Sequence, residues 1–167
     1  MFATPGAADH VIRAGGLGEW LGMTTFRSLL GPALDHPARF FVAGLLIVAG
    51  AAHIPVTPEH LHEAPYIGAL FIALTVGCFA LALLLVGADT RLAYGAASIV
   101  AFLAVAAYVV SRSTALPQIG DDVGNWLEPL GVVSIVTEGA ACLLSVSVIA
   151  ARRPTAGGRF GAPTLSA

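Results

Sequence analysis

Apolar and polar positions in this chain segregate into long blocks rather than alternating residue by residue. Four apolar runs stand out: Phe40 to about Val56, Tyr66 to Val86, Leu92 to Val110, and Pro129 to Ala151. The second and third contain no charge, and the fourth contains one, Glu138. A helix needs about 20 apolar residues to cross a hydrocarbon core of about 30 Å. Runs two to four meet that length, and the first lies near the lower limit of about 17 residues. Backbone N–H and C=O groups in lipid must pair within their own segment, so each run is expected to be a helix. The pattern therefore predicts an all-α fold, a four-transmembrane-helix bundle built from two helical hairpins.

Local signals place the helix ends. Pro65 and Pro129 open runs two and four, where a missing N–H costs little. Glu63 and Glu128 stand just before them, at the positive end of each helix dipole. Ala93, Ala97, Ala101 and Ala104 give run three a small-residue face suited to close helix contact. Tyr66 and Trp126 fall where an aromatic belt would lie. The organisation expected is a cytoplasmic N-terminal segment (1–38), a transmembrane domain (39–153) and a Gly/Pro/Ser/Thr-rich disordered tail (154–167).

Arginine sets the orientation. All eight basic residues are arginine. Arg13, Arg27 and Arg39 precede run one, Arg91 lies between runs two and three, and Arg152, Arg153 and Arg159 follow run four. Arg112 alone falls on the opposite side. Positive charge concentrates on the cytoplasmic side of membrane proteins, so both termini are expected there, with 57–65 and 111–128 as outward loops. Two alternatives attach to the start of the chain. Met23 is a second candidate initiator, and Arg39 followed by Phe40–Ala52 also has the form of a signal peptide cleaved before His53. Ile54, Pro55 and Val56 extend the apolar stretch past that point and favour a span.

Composition agrees with the blocks. Of 167 residues, 57% are hydrophobic and only 11% charged; soluble domains carry about 25% charged residues. Mean hydropathy is +0.85. The net charge of −2 offers no footprint for nucleic acid. Abundant Ala, Gly, Val and Arg without Lys suggests a GC-rich bacterial genome, hence the bacterial inner membrane. Cys78 and Cys142, the two cysteines, both lie in apolar runs, so neither a disulfide framework nor a CxxC metal site is indicated. Each reads as a small buried hydrophobe.

The remaining polar residues gather towards the outer side. His53, His60 and His62 lie in or beside the first outer loop with Glu59 and Glu63; Asp121, Asp122 and Glu128 lie in the second. Glu138 sits nine residues into run four, about 14 Å deep in a straight helix. Imidazole and carboxylate together suit a divalent metal such as zinc, copper or iron, and no Met or Cys in an outer loop offers a sulfur site for Cu(I). The candidate metal ligands are His53, His60, His62, Glu63 and Glu138. Thr57-Pro58-Glu59-His60 has the form of a helix start with Thr57 as N-cap. In a helix, Glu59 and His62, and likewise His60 and Glu63, would share a face.

Each candidate has a plainer reading. His60 and His62 in a wet loop are ordinarily solvated. His53 near a helix end has a structural hydrogen bond as its alternative. Glu138 within a span is a functional-site hypothesis by default; its structural alternative is a hydrogen bond to Ser134, to Thr137 or to a serine on another helix, or a pair with Arg112. Arg112 is expected to cap run three, or to act as a counter-ion for Glu138, for Glu128 or for an anionic substrate group, with Arg112 and Glu138 the cofactor-binding candidates. Asp121 and Asp122 read as a solvated turn between Gly120 and Gly124. A b-type haem needs two histidines within the spans, and only His53 qualifies. The inner halves of the runs look almost purely apolar, so no through-going proton path is expected.

His53, Pro58-Glu59-His60, Glu63-Ala64-Pro65-Tyr66-Ile67-Gly68, Ser111-Arg112-Ser113-Thr114-Ala115-Leu116-Pro117, Glu128-Pro129-Leu130-Gly131 and Glu138 form a pattern. It resembles a group of small four-helix integral membrane proteins of GC-rich bacteria, over about residues 40–150. The resemblance implies an architecture and carries no established activity. It also shows a loose repeat, Glu63-x-Pro65-x-x-Gly68 against Glu128-Pro129-x-Gly131.

Three functions remain open on the sequence. The first is a membrane protein binding a divalent metal at its extracytoplasmic mouth. The second is an accessory or scaffold subunit held to a membrane-protein partner or to its own copies. The third is a membrane redox, quinone-reactive or acid–base enzyme using Glu138, Arg112 and His53. No nucleophile motif, phosphate loop or cofactor fingerprint names a reaction, so no catalytic residue is assigned.

Overall fold

A computed structural model describes residues 30–151. The expectations for Met23, for the N-terminal arginines and for the 154–167 tail lie outside these residues. Five α-helices are described: α1 (Ala38–His53), α2 (Thr57–Glu63), α3 (Pro65–Ala88), α4 (Arg91–Ser113) and α5 (Pro129–Ala151). A 3₁₀ turn at Gly120–Asp122 sits in the α4–α5 connection. Among the described residues there is no strand, only an antiparallel bridge between Ala33 and Thr90.

Helices α3, α4 and α5 are each long and apolar enough to cross a membrane. Helix α1 is too short alone. It passes only if joined to α2, from which it is bent by 48°. The cause of the bend is Pro55. Proline lacks an N–H and its ring clashes with the carbonyl four residues earlier, so the helix cannot run on from His53. The sequence reading carried the apolar stretch through Ile54-Pro55-Val56, whereas the chain turns there. Thr57 is not the N-cap of α2. Its hydroxyl reaches back across the bend and donates to the His53 carbonyl at 2.7 Å, satisfying an acceptor that the break exposes.

The remaining reversals are compact. Ala64 leaves helical geometry, Pro65 restarts the chain as α3, and Gly68 lies beneath Leu61. A Cβ on Gly68 would stand 2.8 Å from the Leu61 Cα, so only glycine permits this approach of α2 to α3. Asp89 ends α3 in the left-handed conformation (φ 48°), and the Thr90 hydroxyl accepts the Ala93 N–H to start α4. Glu128 caps α5, its carboxylate accepting N–H donors from Leu130 and Gly131. Tyr66 donates to the Pro117 carbonyl at 2.6 Å, and the Gly124 N–H donates to the Arg112 carbonyl at 2.9 Å, fastening the 114–128 loop over the bundle.

Helix α1 packs on α3 and α5, α4 packs on α5, and α3 meets α4 more lightly to close the ring. The core is made largely of small side chains: Ala43, Ala49, Ala82, Ala93, Ala97, Ala101 and Ala141, with Val42, Leu46, Leu85 and Tyr94 among them. Three of the four alanines expected to form a packing face on α4 are buried there. Large apolar residues point the other way; Phe41, Leu83 and Leu143 are 70–75% exposed. Small residues inside and bulky apolar ones outside suit lipid contact, because in lipid close backbone approach rather than hydrophobicity selects the packed face.

At the end opposite α2, residues 33–39 are clipped to the α3–α4 turn. The Asp89 carboxylate is buried and accepts the His36 N–H (2.7 Å) and the Tyr94 hydroxyl (2.9 Å), with the Arg39 guanidinium 3.5 Å away. The Leu34 N–H donates to the Asp89 carbonyl at 2.8 Å.

Candidate functional site

Two residues singled out from the sequence meet inside the bundle through a third. His53 ends α1 facing the core, and Glu138 faces the same core from α5 at 1% exposure. Ser134 lies one turn before Glu138 on α5. Its hydroxyl is 3.4 Å from His53 Nε2, and it lies within reach of the Glu138 carboxyl. The imidazole is oriented from behind: Nδ1 lies 2.8 Å from the Ala49 carbonyl. A carbonyl only accepts, so Nδ1 carries a proton and Nε2 faces Ser134. The ring also packs against Phe71 of α3, centroids 5.0 Å apart.

This chain of groups has two self-consistent hydrogen-bond patterns. In one, protonated Glu138 donates to Ser134, and Ser134 donates to His53 Nε2. In the other, His53 Nε2–H donates to Ser134, and Ser134 donates to the Glu138 carboxylate. Moving one proton from Glu138 through the hydroxyl to His53 converts the first into the second, with Nδ1–H held on Ala49 throughout. One acceptor is left over in either state. Glu138 Oε1 is buried and has no partner. An unpaired buried oxygen is costly, and a function is one reason to retain it.

The other expected ligands are placed elsewhere. His60 turns its Nδ1 to the Val56 carbonyl (2.9 Å) and packs edge-on against Phe71. His62, Glu59 and Glu63 are exposed on α2. Among the described residues no three His, Cys, Asp or Glu side chains gather to hold a metal ion. The expected convergence of His53, His60, His62, Glu63 and Glu138 therefore does not occur in this chain. The bend at Pro55 swings α2 onto α3 and holds its side chains away from Glu138.

Arg112 does not serve Glu138 or Glu128. It pairs with Asp122, donates to the Asp122 carbonyl and lies over the Tyr108 ring. Asp122 is thus the partner of a buried arginine rather than a solvated turn residue, because the 3₁₀ turn folds it back over the end of α4. Thr137 bonds the Val133 and Ser134 carbonyls of its own helix. Cys78 is buried; Cys142 is partly buried, with Sγ 3.5 Å from the Ser98 hydroxyl.

Ser134 as the bridge was visible in the sequence only as one of several possible partners. Ser145, fully buried with an unpartnered hydroxyl, and the buried Tyr94–Asp89 pair were not singled out. Their signal was spacing: 134, 138, 141, 145 and 148 fall on one face of α5, carrying Ser, Glu, Ala, Ser and Val. No protein-family model, curated protein or solved structure matches the chain.

Proposed function

We propose that the chain is a four-span protein of the bacterial inner membrane, both termini cytoplasmic, that works as a membrane-embedded acid–base protein. The bent α1–α2 pair is its first span, and the α2 end faces outward. The centre is His53–Ser134–Glu138, which exchanges a proton between an imidazole and a carboxyl through one hydroxyl. The observation that carries the reading is the Glu138 carboxyl, buried at 1% exposure with one oxygen unpaired, one helical turn from the Ser134 hydroxyl that meets His53. A group in this position accepts a hydrogen bond or proton from a ligand without rearrangement of its neighbours.

Infrared difference spectroscopy of the bilayer-reconstituted protein across a pH titration tests this. A carboxyl C=O band that changes with pH, is lost in Glu138→Gln and is displaced in Ser134→Ala and His53→Ala is the expected result. A titration spectrum identical in wild type and Glu138→Gln would remove the reading.

Divalent-metal binding at the outer mouth is the second reading. The fixed tautomers of His53 and His60 favour it, since metal-bound imidazoles usually donate their other N–H to a carbonyl or carboxylate. It requires further ligands, from a second copy or from outside the described residues. Elemental analysis of the purified protein beside a His53→Ala/Glu138→Gln variant decides it: near-stoichiometric metal lost in the variant supports it, and none after reconstitution with zinc, copper and iron opposes it. The accessory-subunit reading rests on apolar outward faces, which any lipid-exposed span presents.

A further inference from the structure

A cavity of about 410 Å³ lies at the Asp89 end of the bundle, between the 30–35 segment and the α3–α4 turn. Asp35, Arg39, Gly87, Ala88 and Thr90 stand on its walls. Small-molecule sites run from about 300 to 1,000 Å³, so the space suits a ligand rather than one or two waters. Backbone ties fix the outer wall: Ala33 bridges to Thr90, and the Leu34 N–H donates to the Asp89 carbonyl at 2.8 Å. Gly31 (φ 82°) and Asp35 (φ 50°) supply the left-handed backbone that turns this segment.

The polar groups on these walls have capacity to spare. The Arg39 side chain is 29% exposed and lies over the Phe40 ring. Among the described residues its guanidinium makes one hydrogen bond, to Asp89 Oδ2 at 3.5 Å, longer than the usual N–H···O bond. A guanidinium carries five N–H donors. Thr90 Oγ accepts the Ala93 N–H at 3.3 Å, which leaves the hydroxyl its own proton to donate. Asp35 is exposed and has no hydrogen-bond or ion-pair partner among the described residues. Ala88 ends α3, whose last turn has no basic residue to meet its partial negative charge. Thr90 caps α4 at that helix's positive end. Donors and a positive helix end therefore share one cavity with a carboxylate and a negative helix end. Asp35 and Asp89 against Arg39 and Arg91 leave no net charge at this turn. A ligand bearing both charges fits it better than a plain anion.

The cavity continues onto an apolar surface. Gly87, on its wall, is itself exposed, and a Cβ built there would meet nothing within 4 Å. Leu83, Val76 and Ile72 lie four, eleven and fifteen residues before Gly87, on one face of α3. They are 75%, 62% and 47% exposed, with the small, exposed Ala80 and Ala73 between them. This track runs down a helix long and apolar enough to cross a membrane. We propose that the cavity holds the head of a phospholipid whose phosphate is joined to a primary ammonium, the chemistry of phosphatidylethanolamine. The phosphate accepts hydrogen bonds from Arg39 and Thr90. The ammonium donates to Asp35 and sits at the negative end of α3. An acyl chain lies along Leu83, Val76 and Ile72. This site needs α3 to span the membrane; it does not need proton exchange at His53–Ser134–Glu138, towards the other end of the bundle.

The test presents the full chain in detergent with equal amounts of phosphatidylethanolamine, phosphatidylglycerol and phosphatidylcholine of the same acyl chains, and reads bound lipid by native mass spectrometry. Phosphatidylcholine has the same charges but no N–H donor, and phosphatidylglycerol has no cation. Wild type is expected to retain phosphatidylethanolamine about ten-fold over either, the scale of one hydrogen bond between charged groups. Asp35→Gly keeps the left-handed backbone and removes the carboxylate. It is expected to bring phosphatidylethanolamine down to the phosphatidylcholine level and to raise phosphatidylglycerol above both. Arg39→Gln is expected to lower retention of all three about ten-fold; if it loses its helical circular dichroism, Asp35→Gly decides. Equal retention of the three lipids by wild type would overturn the site, as would an unchanged preference in Asp35→Gly. Water-soluble phosphoethanolamine, at the same concentration as the lipid, is expected not to displace it. Displacement would make the occupant a soluble amino phosphate and overturn the lipid. The infrared carboxyl band of Glu138 is read separately, so the failure of either proposal leaves the other standing.

Discussion

Replacing Glu138 by methionine asks whether its carboxyl is there for structure. The side chains are similar in length and volume, so the core keeps its packing. The substitution removes an unpaired buried oxygen, Oε1, whose desolvation costs about 1–3 kcal/mol. A hydrogen bond from Ser134 to a carboxylate, which methionine cannot accept, would be worth about 0.5–1.5 kcal/mol net. Ser134 keeps His53 Nε2 as an acceptor at 3.4 Å, so no new orphan is created. The balance is a protein as stable as wild type or up to about 2 kcal/mol more stable, with the proposed proton exchange abolished. Glu138→Ala should differ in sign, since a cavity in a packed core costs about 2–5 kcal/mol. Unfolding in detergent micelles by added dodecyl sulfate, followed by far-ultraviolet circular dichroism, measures both variants on one scale. A loss of 2 kcal/mol or more in Glu138→Met would refute the reasoning and make the carboxyl a structural anchor.

Gly68→Ala places a Cβ 2.6 Å from Leu61 Cγ and 2.8 Å from its Cα; about 1–3 kcal/mol of stability should be lost, and trypsin or thermolysin should cut the α2–α3 junction faster. Asp122→Asn removes the charge facing Arg112, which is 9% exposed. Because Asp122 is partly solvated, the cost should fall below that of a fully buried pair, at about 1–3 kcal/mol in the same unfolding assay. Tyr94→Phe leaves Asp89 Oδ1 without its donor and should cost about 1–3 kcal/mol; an unchanged midpoint would mean that another group replaces the hydroxyl.

The architecture was largely legible because its signals are local. Pro65, Pro129 and Glu128 start helices where the sequence places them, and the alanines of α4 are packed as expected. What the sequence could not give was direction around each helix axis. In a soluble helix polarity distinguishes inside from outside. In α3 and α5 nearly every position is apolar, and only small side chains mark the packed face. Applied to α5, that rule would have set Ser134, Glu138, Ala141 and Ser145 on one face and drawn Ser145 into the site. The bend at Pro55 was missed because hydropathy does not register a lost N–H. The partner of Arg112 was missed because its pairing with Asp122, ten residues on, depends on the fold of the 114–128 loop, not on periodicity. Loop histidines carry no azimuthal signal at all, so His60 and His62 were grouped with Glu138 on sequence proximity to one end of the bundle.

The shortness of α1 bears on how the protein is made. At 16 residues it is about 24 Å long, less than a hydrocarbon core of about 30 Å. Its packing partners, α3 and α5, both lie later in the chain. Neither its length nor any helix before it among the described residues holds it in place, so its burial depends on α3 and α5. The Asp89 clip, which joins residues 33–39 to the α3–α4 turn, adds a second tie at its N-terminal end. Among the described helices, the first in the chain is therefore the one whose packing depends most on segments made after it.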